Sequence, residues 1–101
     1  MAKVTVIATL RAKPGKEKEL EDYLTTLVGY TRAEMGCLNY DLHQQKSDPS
    51  VYVMYENWAD QSELDKHLAM PYMVDFMRAA QDLLASPPDL QLLDMVSAPK
   101  R

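Results

Sequence analysis

A single cysteine, Cys37, is present in 101 residues, which excludes an intrachain disulfide and any multi-cysteine metal site. Three glycines and six prolines are too few for a collagen-like or linker-rich chain. Intrinsic disorder is excluded by an apolar content of 47% against 26% charged. No apolar run approaches the length of a membrane span or of a signal-peptide core. Positive charge is also short: eleven Lys and Arg against fifteen Asp and Glu leave a formal charge of −4. The overall field therefore repels phosphate, and nucleic acid or an anionic membrane would need a local basic patch. The basic residues are scattered instead, with a weak cluster at Lys13, Lys16 and Lys18 and a basic end at Lys100 and Arg101. His43 and His67 are far apart, and no phosphate-cradling glycine loop or serine-nucleophile motif accompanies them. The expectation is one cytoplasmic domain over 1–101, its core at about 4–96, with no metal, no cofactor, no nucleic acid and no membrane partner.

What is present is strong hydrophobic patterning. Val4 to Leu10 is rich in β-branched residues and ends before Pro14-Gly15, which predicts a strand. From Lys16, apolar positions recur at three- and four-residue steps (Leu20, Tyr23, Leu24, Leu27, Val28, Thr31, Met35), with Glu17, Glu19 and Glu21 in the early turns, where the helix dipole favours acids. Gly36 is expected to close this helix. Cys37–Lys46 and Val51–Trp58, joined by Ser47-Asp48-Pro49-Ser50, read as a β-hairpin. Asp60 and Glu63 form the signature of a capped helix start ahead of Leu64, His67 and Leu68. Pro71 interrupts, a second helical stretch carries Tyr72, Met73, Phe76, Met77, Ala80, Leu83 and Leu84, and Pro87-Pro88 stops it before a last strand over Leu90–Val96. The order β-α-β-β-α-β, with the second α in two pieces, predicts an α+β ferredoxin-like fold: an antiparallel four-stranded sheet with helices on one face.

The third strand has apolar or aromatic residues on both parities: Val51, Val53 and Tyr55 on one, Tyr52, Met54 and Trp58 on the other. Both faces of the sheet then require cover, while the helices supply cover for one, so a homodimer is expected. Within the hairpin, pairing even with even residues puts Leu38, Tyr40 and Leu42 on a face with Met54, Glu56 and Trp58. The one-residue slip would set Asp41 beside Glu56, two like charges in cross-strand contact. Glu56 becomes the lone carboxylate on an apolar and aromatic face, where an acid is paired, hydrogen-bonded or functional.

Glu34-Met35-Gly36-Cys37-Leu38-Asn39-Tyr40, Asp48-Pro49, Tyr55-Glu56-Asn57-Trp58-Ala59-Asp60, His67 and Met70-Pro71-Tyr72 resemble the antibiotic biosynthesis monooxygenase family, including its quinol monooxygenase-like members. The resemblance runs from about Val4 to Val96. It implies a dimeric α+β barrel with a pocket between sheet and helices, and an enzyme that inserts oxygen from dioxygen into a small electron-rich quinol, phenol or anthrone without flavin, haem or metal. This chain departs from the family pattern at Tyr72, where a second His is frequent. Haem-degrading relatives of the fold carry an Asn in the first strand, at the place of Ala8 here. A non-catalytic small-molecule-binding or stress-response barrel and an isomerase are the alternative readings of the same scaffold.

His67 and Glu56 are the candidate catalytic residues. An unperturbed imidazole titrates near neutrality, as a general base must, and Glu56 can orient it or accept a substrate proton. The bland alternatives are a solvent-bonded helix-edge histidine and a salt bridge from Glu56 to Arg11 or Arg78. Trp58, Tyr72, Tyr40, Phe76 and Met54 are the candidate substrate-binding residues, through stacking, phenolic hydrogen bonds and a methionine-rich wall that adapts to flat ligands. For each of them simple core packing is the competing reading. His43 alternates onto the other face of the hairpin and is expected to be structural or exposed, and Asn57 is expected to face a dimer partner.

Overall fold

A computed structural model describes residues 3–100; Met1 and Ala2 at the start and Arg101 of the basic end lie outside it. The elements are β1 (Val4–Arg11), α1 (Glu17–Arg32), β2 (Cys37–Gln44), β3 (Val51–Trp58), α2 (Gln61–Leu68), α3 (Pro71–Leu83) and β4 (Asp89–Leu93). They form an antiparallel sheet in the order β2-β3-β1-β4. This is the ferredoxin-like arrangement. The last strand is shorter than expected, and the chain from Asp94 to Lys100 is exposed.

Parity decides which side of the sheet carries the core. In β1 the even residues Val4, Val6, Ala8 and Leu10 are buried, whereas Thr5, Ile7 and Thr9 are only partly covered. The same side holds Tyr52, Met54, Glu56 and Trp58 of β3, against Leu20, Leu24 and Leu27 of α1 and Met73, Phe76, Ala80 and Leu83 of α3. The even register of the hairpin is observed: Tyr40 pairs with Glu56, Leu42 with Met54 and Gln44 with Tyr52. Leu38 departs from it. An irregularity between Cys37 and Asn39 sets Cys37 opposite Trp58 and turns Leu38 out to solvent, because a bulge inserts one residue and breaks the alternation.

Helix boundaries follow local chemistry. Asp60 caps α2, its Oδ1 accepting from the Glu63 backbone N–H at 3.0 Å, and Pro71 opens α3, where its missing N–H costs nothing. The α1 helix ends at Arg32, earlier than its apolar stripe implied, so Met35 lies beyond it, almost wholly exposed rather than in the core. The turn that follows brings Gly36 against α2: a Cβ on Gly36 would sit 2.4 Å from the Glu63 side chain. Glycine is required there by proximity, and that approach carries Glu34 up to the helix bearing His67.

On the opposite side of the sheet, Asn57 is buried and bonded to Thr5 and Asn39, with Asn39 in turn donating to Asp41. This polar ladder flanks Ile7, Val53 and Tyr55 on the face opposite the described helices.

Candidate active site

His67 is 1% exposed. Its ring packs on two aromatic neighbours that also touch each other, the Trp58 ring with centroids 4.5 Å apart and the Tyr40 ring at 5.5 Å. Nδ1 stands 2.8 Å from Oε2 of Glu34, and the same oxygen accepts the Tyr72 hydroxyl. A carboxylate oxygen that accepts the phenol meets Nδ1 as an N–H. The neutral imidazole is then the tautomer whose free lone pair is on Nε2. Burial pushes His67 below the ordinary imidazole range, and Glu34 opposes that shift by favouring the charged form.

The carboxylate partner of His67 is therefore Glu34 and not Glu56, a correction to the orienting role expected from the sequence. Glu56 accepts instead from the Trp58 indole, Nε1 to Oε1 at 2.9 Å. It makes no ion pair with Arg11 or Arg78, which bond to Asp48 and Asp75. Burial raises its carboxyl from 4.5 to about 7, against the opposing effect of the indole hydrogen bond. Glu34 stands in the motif that carries the family resemblance but was given no role from the sequence, although a signal was available. It follows the C-terminus of α1, where the helix dipole disfavours a negative charge, and an acid placed there is held by something else.

A cavity of about 290 Å³ lies between the sheet and the helices α2 and α3. Of the residues expected from the sequence, His67, Glu56, Tyr40, Met54 and Phe76 line it. Trp58 and Tyr72 do not. Trp58 is fully buried, packed on the His67 ring and bonded to Glu56, and it does not line the cavity. Tyr72 lines a separate open groove between α1 and α3, stacked on Tyr30 with ring centroids 5.3 Å apart. It reaches the site only through Glu34. Burial, first, and neighbouring carboxylates raise both the Tyr40 and Tyr72 phenols, which keeps them protonated as donors. The fully buried Thr31 hydroxyl sits near both phenols and opposes that rise, although it makes no well-formed hydrogen bond among the described residues.

His43 is exposed, with Nδ1 3.0 Å from the Asp41 carbonyl. Burial raises the Cys37 thiol to about 11, so it is an inert, protonated neighbour rather than a nucleophile. Among the described residues no three His, Cys, Asp or Glu side chains converge as a metal site, and no described helix is long and apolar enough to cross a membrane.

This buried histidine and most of the residues lining its cavity lie inside a segment, residues 3–79, that matches the model of the family described as antibiotic biosynthesis monooxygenase. The chain belongs to that family. Among relatives similar to it is the Mycobacterium tuberculosis protein named "Putative monooxygenase Rv0793", 31% identical over 84 residues that cover 83% of this chain and 82% of the relative. In structural superposition Rv0793 has a TM-score of 0.91 at 26% identity, covering 98% of this chain and all of that one. PA3566 from Pseudomonas aeruginosa superposes with a TM-score of 0.90 at 36% identity, covering 96% and 97% of the two chains. An uncharacterised Synechocystis protein, sll1783, is 27% identical over 88% of this chain, which spans 60% of that relative's length.

Proposed function

We propose that this family member is a cofactor-independent monooxygenase acting on a small electron-rich aromatic, a quinol, phenol or anthrone, with dioxygen. The observation that carries the reading is the buried Glu34–His67 pair at the wall of a largely apolar cavity whose other buried polar groups are Tyr40 and Glu56. Triplet dioxygen reacts slowly with closed-shell molecules, so the substrate must donate the electrons, and a phenolate or enolate donates far better than its neutral form. Nε2 of His67 takes the substrate proton, and Glu34 stabilises the imidazolium that results. Tyr40, and Glu56 in its protonated form, donate to the developing oxyanion in a site whose low polarity strengthens such bonds. One oxygen atom enters the substrate and the other leaves as water, the substrate supplying all four electrons.

The same reading includes a homodimer built on the face of Ile7, Val53 and Tyr55, opposite the described helices. The functional test is oxygen uptake with a panel of hydroquinones and anthrones, run beside anaerobic controls. Substrate-dependent uptake with a product that has gained one oxygen and lost two hydrogens is expected. Product formation without oxygen would identify an isomerase instead, and binding without turnover a ligand-binding barrel.

A further inference from the structure

We propose that the cavity selects an amphiphilic substrate: a phenolic or quinol head at Tyr40, Glu56 and His67, with an uncharged aliphatic tail leaving over an apolar rim beside β4. The fate of the head rests on the oxygenase reading above, whereas the tail is argued from geometry alone.

The cavity has two unlike ends. Tyr40, Glu56 and His67 are 3%, 4% and 1% exposed, so its polar groups lie at the closed end. Leu68, Met77, Leu90 and Leu92 also line it, yet each is about half exposed, at 46%, 50%, 49% and 52%. These four mark the mouth. The sheet runs between the two ends: Tyr40 pairs with Glu56, Glu56 with Val6 and Val6 with Leu92, a rung from buried polar to exposed apolar. Three strand spacings make that rung roughly 14 Å long.

Two further features define the occupant. No Lys or Arg lines the cavity among the described residues, so a carboxylated or phosphorylated ligand would enter with its charge unpaired. Gln61 is the polar residue at the exposed end, and its amide is engaged by Asp65 at 3.0 Å. A volume of about 290 Å³ is at the small end for ligand sites. It holds an aromatic head, and a tail attached to that head must lie across Leu90, Leu92, Leu68 and Met77.

The test is calorimetric binding of para-methyl-, para-butyl- and para-octylphenol to the intact protein, with sedimentation run in parallel. One site per chain is expected, with Kd falling about threefold to fourfold for each methylene buried between methyl and butyl. Leu92→Asn in β4 and Met77→Gln in α3 should each shrink the octyl-to-methyl ratio of affinities; using two elements guards against one variant failing to fold. Equal affinity for all three phenols, or a ratio unmoved by both variants, would overturn the proposal. So would a change from dimer to monomer in both variants, because the rim would then be a subunit contact. Oxygen uptake separates the two readings: tail-dependent binding without turnover of any phenol or hydroquinone leaves the tail proposal standing and removes the oxygenase reading. Turnover with tail-independent binding does the reverse.

Discussion

Nδ1 of His67 and Oε2 of Glu34 lie 2.8 Å apart although 33 positions separate them in the chain. The contact joins the turn after α1 to the last turn of α2, and it leaves the lone pair of the neutral imidazole on Nε2. His67→Ala should lower turnover of a hydroquinone or anthrone by about 10² to 10⁴, with partial recovery at higher pH, where bulk hydroxide ionises the substrate. Glu34→Gln should give a smaller loss of the same kind. Nitrogen NMR of His67 should show an unprotonated Nε2 in the parent protein and a mixture of tautomers in that variant. Wild-type turnover of His67→Ala across neutral pH would remove the base assignment.

Glu56 predicts a particular pH dependence of stability. Its carboxyl is raised from 4.5 to about 7 in the folded state, so between those values the native protein retains a proton that the unfolded chain has released. Stability should fall as pH rises through this window and level off above it, by at most about 1.4 kcal/mol per pH unit. Glu56→Gln preserves an acceptor for the Trp58 indole and should flatten the slope. Denaturant melts from pH 4 to pH 9 measure this, and an unchanged slope in the variant would place the titration elsewhere.

The pH dependence of turnover should carry the opposite signature. Burial holds His67 below the ordinary imidazole range, so the neutral base persists into mildly acidic solution. The acid limb of kcat/KM should fall below 6.5, and a limb above that value would show that Glu34 outweighs burial.

Gly29 is exposed in the interior of α1, and a Cβ there meets nothing within 4 Å. Gly29→Ala should stabilise the protein by about 0.5 to 1 kcal/mol through helix propensity and loss of unfolded-state freedom. Gly36→Ala should act in the other sense, since its Cβ would lie 2.4 Å from Glu63. Thermal unfolding of the two variants should move in opposite directions.

The sheet face opposite the described helices predicts a sedimentation mass of twice 11.5 kDa at micromolar concentration. Tyr55→Glu, on that face and 40% exposed, should shift the mass toward one chain. A parent protein sedimenting as one chain would refute the dimer.

Element order, the hairpin register and the capped start of α2 were legible in the sequence because each depends on nearby residues: alternation along a strand, an aspartate at a cap, a proline at a first turn. The like-charge clash of Asp41 with Glu56 was enough to select the pairing of Tyr40 with Glu56 that is observed. His67 was legible as a candidate because its position beside Leu64 placed it on the buried stripe of a short helix.

What the tertiary structure alone decided is which groups meet. Periodicity places a side chain on a face but does not say how far along that face another element crosses. Glu34 reaches His67 only because Gly36 allows the turn after α1 to approach α2 closely. Glu56 turns to the Trp58 indole, its neighbour two residues on along the same face. Tyr72 is one helical face away from the cavity and touches the site only through Glu34, while Trp58 packs on the histidine without lining the cavity. The exposure of Leu38 came from a bulge, which adds one residue to a strand without leaving a mark in composition. Local propensities are short-ranged and additive enough to read from the chain; the pairing of a carboxylate with an imidazole 33 positions away depends on the packing of whole elements, and only the folded molecule specifies it.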